Sequence, residues 1–142
     1  MPVAAADNTA KSQTHAGQRG SILIVEDDFL IASGIEAALI DAGYESAGIA
    51  ATGEEALQMA LLRPPTLAVM DIRLAGDRDG IETAIELFRS LGVRCIFGSA
   101  YSDDEARRRA APAAPLGWLQ KPYTMASLTA LVRDSVRDLA RE

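Results

Sequence analysis

The chain has 142 residues, 49% of them apolar, and a formal net charge of −6 at pH 7. That is enough apolar material for one domain with a real core and excludes a disordered chain, while the acidic balance speaks against a grip on nucleic acid, which rests on neutralising phosphates. The one cysteine, Cys95, excludes an internal disulfide, no run reaches the roughly 18 apolar residues of a membrane span, and no apolar segment opens the chain as a signal peptide would; a cytoplasmic, soluble domain is expected.

Residues 1–20 hold Ala, Thr, Ser, Gln, Asn and Gly with few large apolar groups and read as a disordered tail. The only histidine, His15, lies in it and receives no role. The folded domain is expected over 21–142. Ser21-Ile22-Leu23-Ile24-Val25 is a continuous β-branched run, so it predicts a central buried strand, and it ends in Glu26-Asp27-Asp28. A helical pattern follows, with Ile31, Ile35, Leu39 and Ala42 on one face and a stop at Gly43. Tyr44 to Ala50 is a weaker strand placed at a sheet edge. Thr52 with Glu55 has the spacing of a capping box and opens a helix to about Leu62.

Pro64-Pro65 punctuates the chain before the stretch Thr66 to Leu74, which is apolar on both faces and ends its strand on one carboxylate, Asp71. After a polar turn, Asp79-Gly80-Ile81-Glu82 opens a third helix that carries Ile81, Ile85 and Phe88 inward and ends near Gly92. Arg94 to Ser99 is a fourth strand, with Cys95 as a buried structural thiol. Ser102 and Glu105 have capping-box spacing, and Pro112 and Pro115 keep the helix they start short. Leu116 to Gln120 is a fifth strand, followed by Lys121-Pro122. Thr124 caps a last helix with Leu128, Leu131, Val132, Val136 and Leu139 at helical spacing.

Five βα units with short loops predict an α/β fold, a doubly wound parallel sheet with helices on both faces. In such a sheet all strand carboxyl ends share one edge, where ligands bind. That edge would gather Glu26, Asp27 and Asp28, then Asp71, Ser99 and Lys121. Carboxylates packed without a partner raise one another's pKa, and a divalent cation removes that cost. Oxygen donors of this kind suit Mg²⁺. Lys121 and Ser99 suit phosphate oxygens, and the set as a whole suits phosphoryl transfer. No P-loop sequence is present, and no Cys-His or Ser-His pair lies in the folded part, so acyl transfer is disfavoured. The remaining nucleophile is Asp71, which can form an acyl phosphate.

Ile22 to Asp28, Met70-Asp71-Ile72-Arg73-Leu74, Ser99-Ala100 and Lys121-Pro122-Tyr123 together resemble the receiver domain of two-component response regulators, over about residues 20–140. The resemblance implies a flavodoxin-like sheet in the order 2-1-3-4-5 and phosphorylation of Asp71 by a sensor histidine kinase or a phosphotransfer protein. By position, Glu26, Asp27 and Asp71 would hold Mg²⁺ with the backbone carbonyl of Arg73, and Ser99 and Lys121 would read the phosphoryl group. Asp28 falls beside the acidic pair and is expected to start the first helix. Trp118, three residues before Lys121, stands where such receivers carry an aromatic that turns inward on phosphorylation; a Trp fixed in the core is the plain alternative. Phe97 to Tyr101 and the loop Gly76 to Glu82 resemble a receiver subgroup of alphaproteobacterial signalling, whose members can lack that aromatic.

No output domain is expected after the last helix. The chain would then act by docking onto a downstream protein or passing phosphate on, with phosphorylation-linked dimerisation left open and with neither nucleic acid nor membrane as a direct partner. The docking surface would be the fourth helix, fifth strand and fifth helix, and Arg107-Arg108-Arg109 is either part of it or a solvated face. Arg73 and Tyr101 would flank the phosphoryl group and slow its hydrolysis. Two other readings compete: an aspartyl-phosphate hydrolase, for which Arg73 stands where a second Asp would act as general acid, and a scaffold that never takes phosphate.

Overall fold

The computed structural model describes residues 19–74, 76, 78–100 and 104–142. The tail reading of residues 1–18, the capping role of Ser102 and the shielding role of Tyr101 lie outside these. In chain order the elements are β1 (Ser21–Val25), α1 (Phe29–Asp41), β2 (Glu45–Ala50), α2 (Gly53–Leu62), β3 (Leu67–Asp71), α3 (Gly80–Leu91), β4 (Cys95–Ser99), α4 (Asp104–Ala110), a 3₁₀ turn (Ala111–Ala113), β5 (Gly117–Gln120) and α5 (Met125–Ala140). The strands form one parallel sheet in the order β2-β1-β3-β4-β5. The order and the flavodoxin-like architecture agree with the sequence reading.

Alternation along each strand divides the core in two. Leu23, Val25, Met70 and Phe97 face one layer with α2, α3 and α4; Ile22, Ile24, Val69 and Ile96 face the other with α1 and α5. The central strands are therefore buried on both sides, as their continuous apolar runs require.

Two inward faces differ from expectation. Ile31 is 48% exposed, and α1 packs through Ala32, Ile35 and Leu39 instead. Phe88 is only half-buried, and α3 packs through Ile81, Thr83, Ala84 and Leu87. In each helix the inward stripe runs one residue away from the expected position, through Ala32 beside Ile31 in α1 and through Leu87 beside Phe88 in α3. The expected box at Thr52 is half made: Thr52 Oγ1 accepts from the Glu55 N–H, while the Glu55 carboxylate accepts from the Thr52 hydroxyl rather than from its backbone. The reciprocal box stands at α3, between Asp79 and Glu82. Thr124 caps α5 as expected.

Candidate functional site

Register brings the acidic residues together. Val25 pairs with Met70 across β1 and β3, so the next residues, Glu26 and Asp71, stand side by side at the sheet edge. The Glu26 N–H still donates to the Ala50 carbonyl (2.9 Å), which holds Glu26 in strand alignment. Asp28 does not join the site. Its Oδ1 accepts from the Leu30 and Ile31 N–H groups (3.0 and 3.2 Å) and caps α1, as the sequence suggested. Asp27 is left exposed between the two. One carboxylate oxygen from each of Glu26, Asp27 and Asp71 lies within 4.8 Å of the others.

Lys121 reaches this group from two strands away. Its N–H donates to the Ser99 carbonyl (2.7 Å), which continues the β4–β5 ladder, and its Nζ lies 3.2 Å from Asp71 Oδ1. Gly98 pairs with Asp71 on the strand between them. The Lys121 stem and the Tyr123 ring pass close over Gly98: a Cβ there would sit 3.5 Å from each, in ordinary van der Waals contact. Asp71 Oδ1 also accepts from the Arg73 N–H (3.2 Å). Asp27, Asp71, Arg73, Ser99, Arg109 and Lys121 line one open cleft of about 310 Å³.

Among the described residues the cation paired directly with this trio is Lys121, on Asp71, and Glu26 shows the consequence. It is 4% exposed, and its carboxyl is pushed up to about 8, first by burial and then by its hydrogen bond to Asp71 and the charge there. Its Oε2 is buried with no hydrogen-bond partner among the described residues. Neutral Glu26 can share its proton with Asp71; a hard cation would replace that proton and satisfy the orphaned oxygen. The donors are all oxygen, so the residues present fit such an ion. Burial, followed by the charges of Glu26 and Asp71, also raises the Tyr123 phenol.

This gives a signed pH dependence. Without metal, folded Glu26 binds a proton between its unfolded and folded pKa values that the unfolded chain has released. Stability should therefore fall as pH rises from about 5 through about 8. Chemical denaturation across that range should show the decline, Glu26→Gln should flatten it, and an equal decline in both proteins would refute the assignment.

Sequence reasoning missed two supports of the site. Gly80, the first residue of α3, donates its N–H to the Ile72 carbonyl (2.7 Å), and a Cβ there would overlap the Asp71 carbonyl oxygen. Asp79, the α3 cap, also pairs with Arg109 of α4 (3.0 Å). The Asp79-Gly80 pair marked the start of a helix, but nothing local in the sequence marked either contact. All three arginines of the run are exposed, but they differ in partner: Arg107 lies over the Trp118 ring, 5.0 Å from its centroid, and Arg109 is bound to Asp79. Trp118 is stacked on Phe97 with centroids 4.6 Å apart. Cys95 is fully buried and its thiol is pushed up to about 12, in keeping with a structural role.

Among the described residues no helix is long and apolar enough to cross a membrane. The chain is 34% identical over 107 residues to the transcriptional regulatory protein PdtaR of Mycobacterium tuberculosis, a match covering 75% of this chain and 52% of that protein. It is 31% identical over 116 residues to the phyllosphere-induced regulator PhyR of Methylorubrum extorquens, covering 81% and 43%. The chain thus spans about half the length of these relatives. A CheY-like response regulator receiver domain from Methanospirillum hungatei shares the fold with a TM-score of 0.78 and 27% identity, over 85% of this chain and 96% of that one. The response regulator receiver domain model matches residues 22–133. That match begins in β1, ends in α5 and takes in every strand end that builds the acidic cleft, so the chain belongs to the response regulator receiver domain family of two-component systems.

Proposed function

We propose that this chain is a phosphorylation-dependent switch that accepts a phosphoryl group on Asp71, with Mg²⁺, and changes its protein-docking surface. The observation that carries the reading is the trio of buried Glu26, partly buried Asp71 and exposed Asp27, with Lys121 bound to Asp71. Receiver domains interact with histidine kinases and are in general not true enzymes; the donor proposed here is a sensor histidine kinase or a phosphotransfer protein. In the transfer, an Asp71 carboxylate oxygen attacks phosphorus as the bond to the donor breaks. Glu26, Asp27, Asp71 and the Arg73 carbonyl would hold Mg²⁺, which supplies positive charge to the phosphoryl oxygens. Lys121 exchanges its Asp71 oxygen for a phosphoryl oxygen, and Ser99 donates its hydroxyl to another. These shifts act on β4 and β5, where Trp118 packs, and from there on the surface of α4, β5 and α5 that meets a downstream protein.

Acetyl phosphate with Mg²⁺ tests the reading. A stable mass gain of one phosphoryl group, without turnover of free phosphomonoesters, is expected. Turnover would favour a hydrolase, and no gain would favour a scaffold. The lifetime of the product carries a second expectation. Arg73 is exposed and lines the cleft, where its charge can meet the phosphoryl group and obstruct an in-line water. Arg73→Ala should shorten the phosphoryl half-life by about tenfold, which corresponds to about 1.4 kcal/mol; an unchanged half-life would remove Arg73 from that role.

A further inference from the structure

We propose that Arg109 is a second cationic ligand for the phosphoryl group, held on Asp79 until that group arrives; this rests on Asp71 being the phosphate site. Three observations carry it. Arg109 lines the same cleft as Asp71, Ser99 and Lys121, although it comes from the last turn of α4. Its resting partner is replaceable: Asp79 Oδ2 holds the guanidinium at 3.0 Å, while Oδ1 caps α3 through the Glu82 N–H at 2.8 Å. The cap therefore survives loss of the arginine. Both side chains of the pair are open to solvent, at 49% and 33% exposure, so the resting pair is weakly held.

A phosphoryl group changes the competition. It brings a charge of about −1.5 to −2 and three strong acceptor oxygens, and a guanidinium matches such oxygens with two parallel N–H groups. Lys121 offers only a point charge, and it already serves Asp71. Transfer of Arg109 from Asp79 to the phosphoryl group would untie α4 from the start of α3 and tie it to Asp71. Ala110, next in the chain, is fully buried, so the helix end stays anchored while the side chain changes partner. Phosphorylation would then reach α4 directly, in addition to any route through Ser99 and Trp118.

Beryllofluoride with Mg²⁺ serves as a phosphoryl stand-in, read by Trp118 fluorescence and by intact mass after acetyl phosphate. Arg109→Ala and Arg109→Gln should each weaken beryllofluoride binding by about tenfold, the loss of a charge-assisted contact. Asp79→Asn keeps a good cap residue and frees the arginine, so it should strengthen binding by a few-fold. Opposite shifts in the two kinds of variant support a shuttling arginine. Shifts in the same direction, or no shift in the Arg109 variants, overturn it in favour of a structural pair. Failure of the wild-type chain to bind beryllofluoride or gain phosphate would overturn the phosphate site itself, and this inference with it.

Discussion

Asp71→Asn should abolish phosphoryl uptake while leaving the fold intact. The amide keeps the shape of the carboxylate at a position whose side chain is only 12% exposed, and it can still accept from the Arg73 N–H. It cannot attack phosphorus. Uptake from acetyl phosphate and Mg²⁺, followed by intact mass, should fall by at least about 10³-fold, the scale expected when a nucleophile is removed. The same change takes one negative charge from a crowded group, and Asp71 is the largest cause after burial of the raised Glu26 carboxyl. The variant should therefore be at least as stable as the wild type near neutral pH. A phosphoryl gain at the wild-type rate would show that another residue is the acceptor.

Gly80→Ala should be the most damaging small substitution near the cleft. The added Cβ would overlap the Asp71 carbonyl oxygen and lie 2.8 Å from the Asp71 carbonyl carbon and the Ile72 Cα. All three are backbone atoms, so no side chain can swing aside. Either α3 shifts outward, losing the 2.7 Å bond from Gly80 to Ile72, or the Asp71–Arg73 backbone moves and disturbs the Arg73 carbonyl proposed to hold Mg²⁺. Overpacking of this kind costs about 1–3 kcal/mol and more where the backbone must move, so a loss of about 3 kcal/mol in urea denaturation is expected, with weakened Mg²⁺ binding. Gly34→Ala is the control. Gly34 lies inside α1 with open space where its Cβ would go, so alanine there should stabilise by about 0.5–1 kcal/mol. Equal stability of Gly80→Ala and wild type would show that contact between α3 and the end of β3 does not constrain the site.

The chain read in one dimension already determined the sheet and the residues gathered at its edge. Every strand but the weaker edge strand β2 announced itself as a short, largely apolar run, and parallel strands joined by right-handed crossovers must place their carboxyl ends on one edge. Reading off the residues after each run was therefore enough to bring Glu26, Asp27, Asp71, Ser99 and Lys121 to one place. Asp28 could be separated from its neighbours because a carboxylate just before a helical pattern is a cap. Only the tertiary structure decided the rest. Periodicity fixes an inward stripe to within about one residue, which is why Ile31 and Phe88 were placed inward when Ala32 and Leu87 take those positions; the choice depends on how closely each helix settles on the sheet. The upward push on the Glu26 carboxyl comes first from burial, and burial is a property of neighbours rather than of residue type. The contacts Arg109–Asp79, Arg107–Trp118 and Gly80–Asp71 join separate elements. No local pattern encodes them, because they exist only where the packed helices bring distant parts of the chain within a few ångströms.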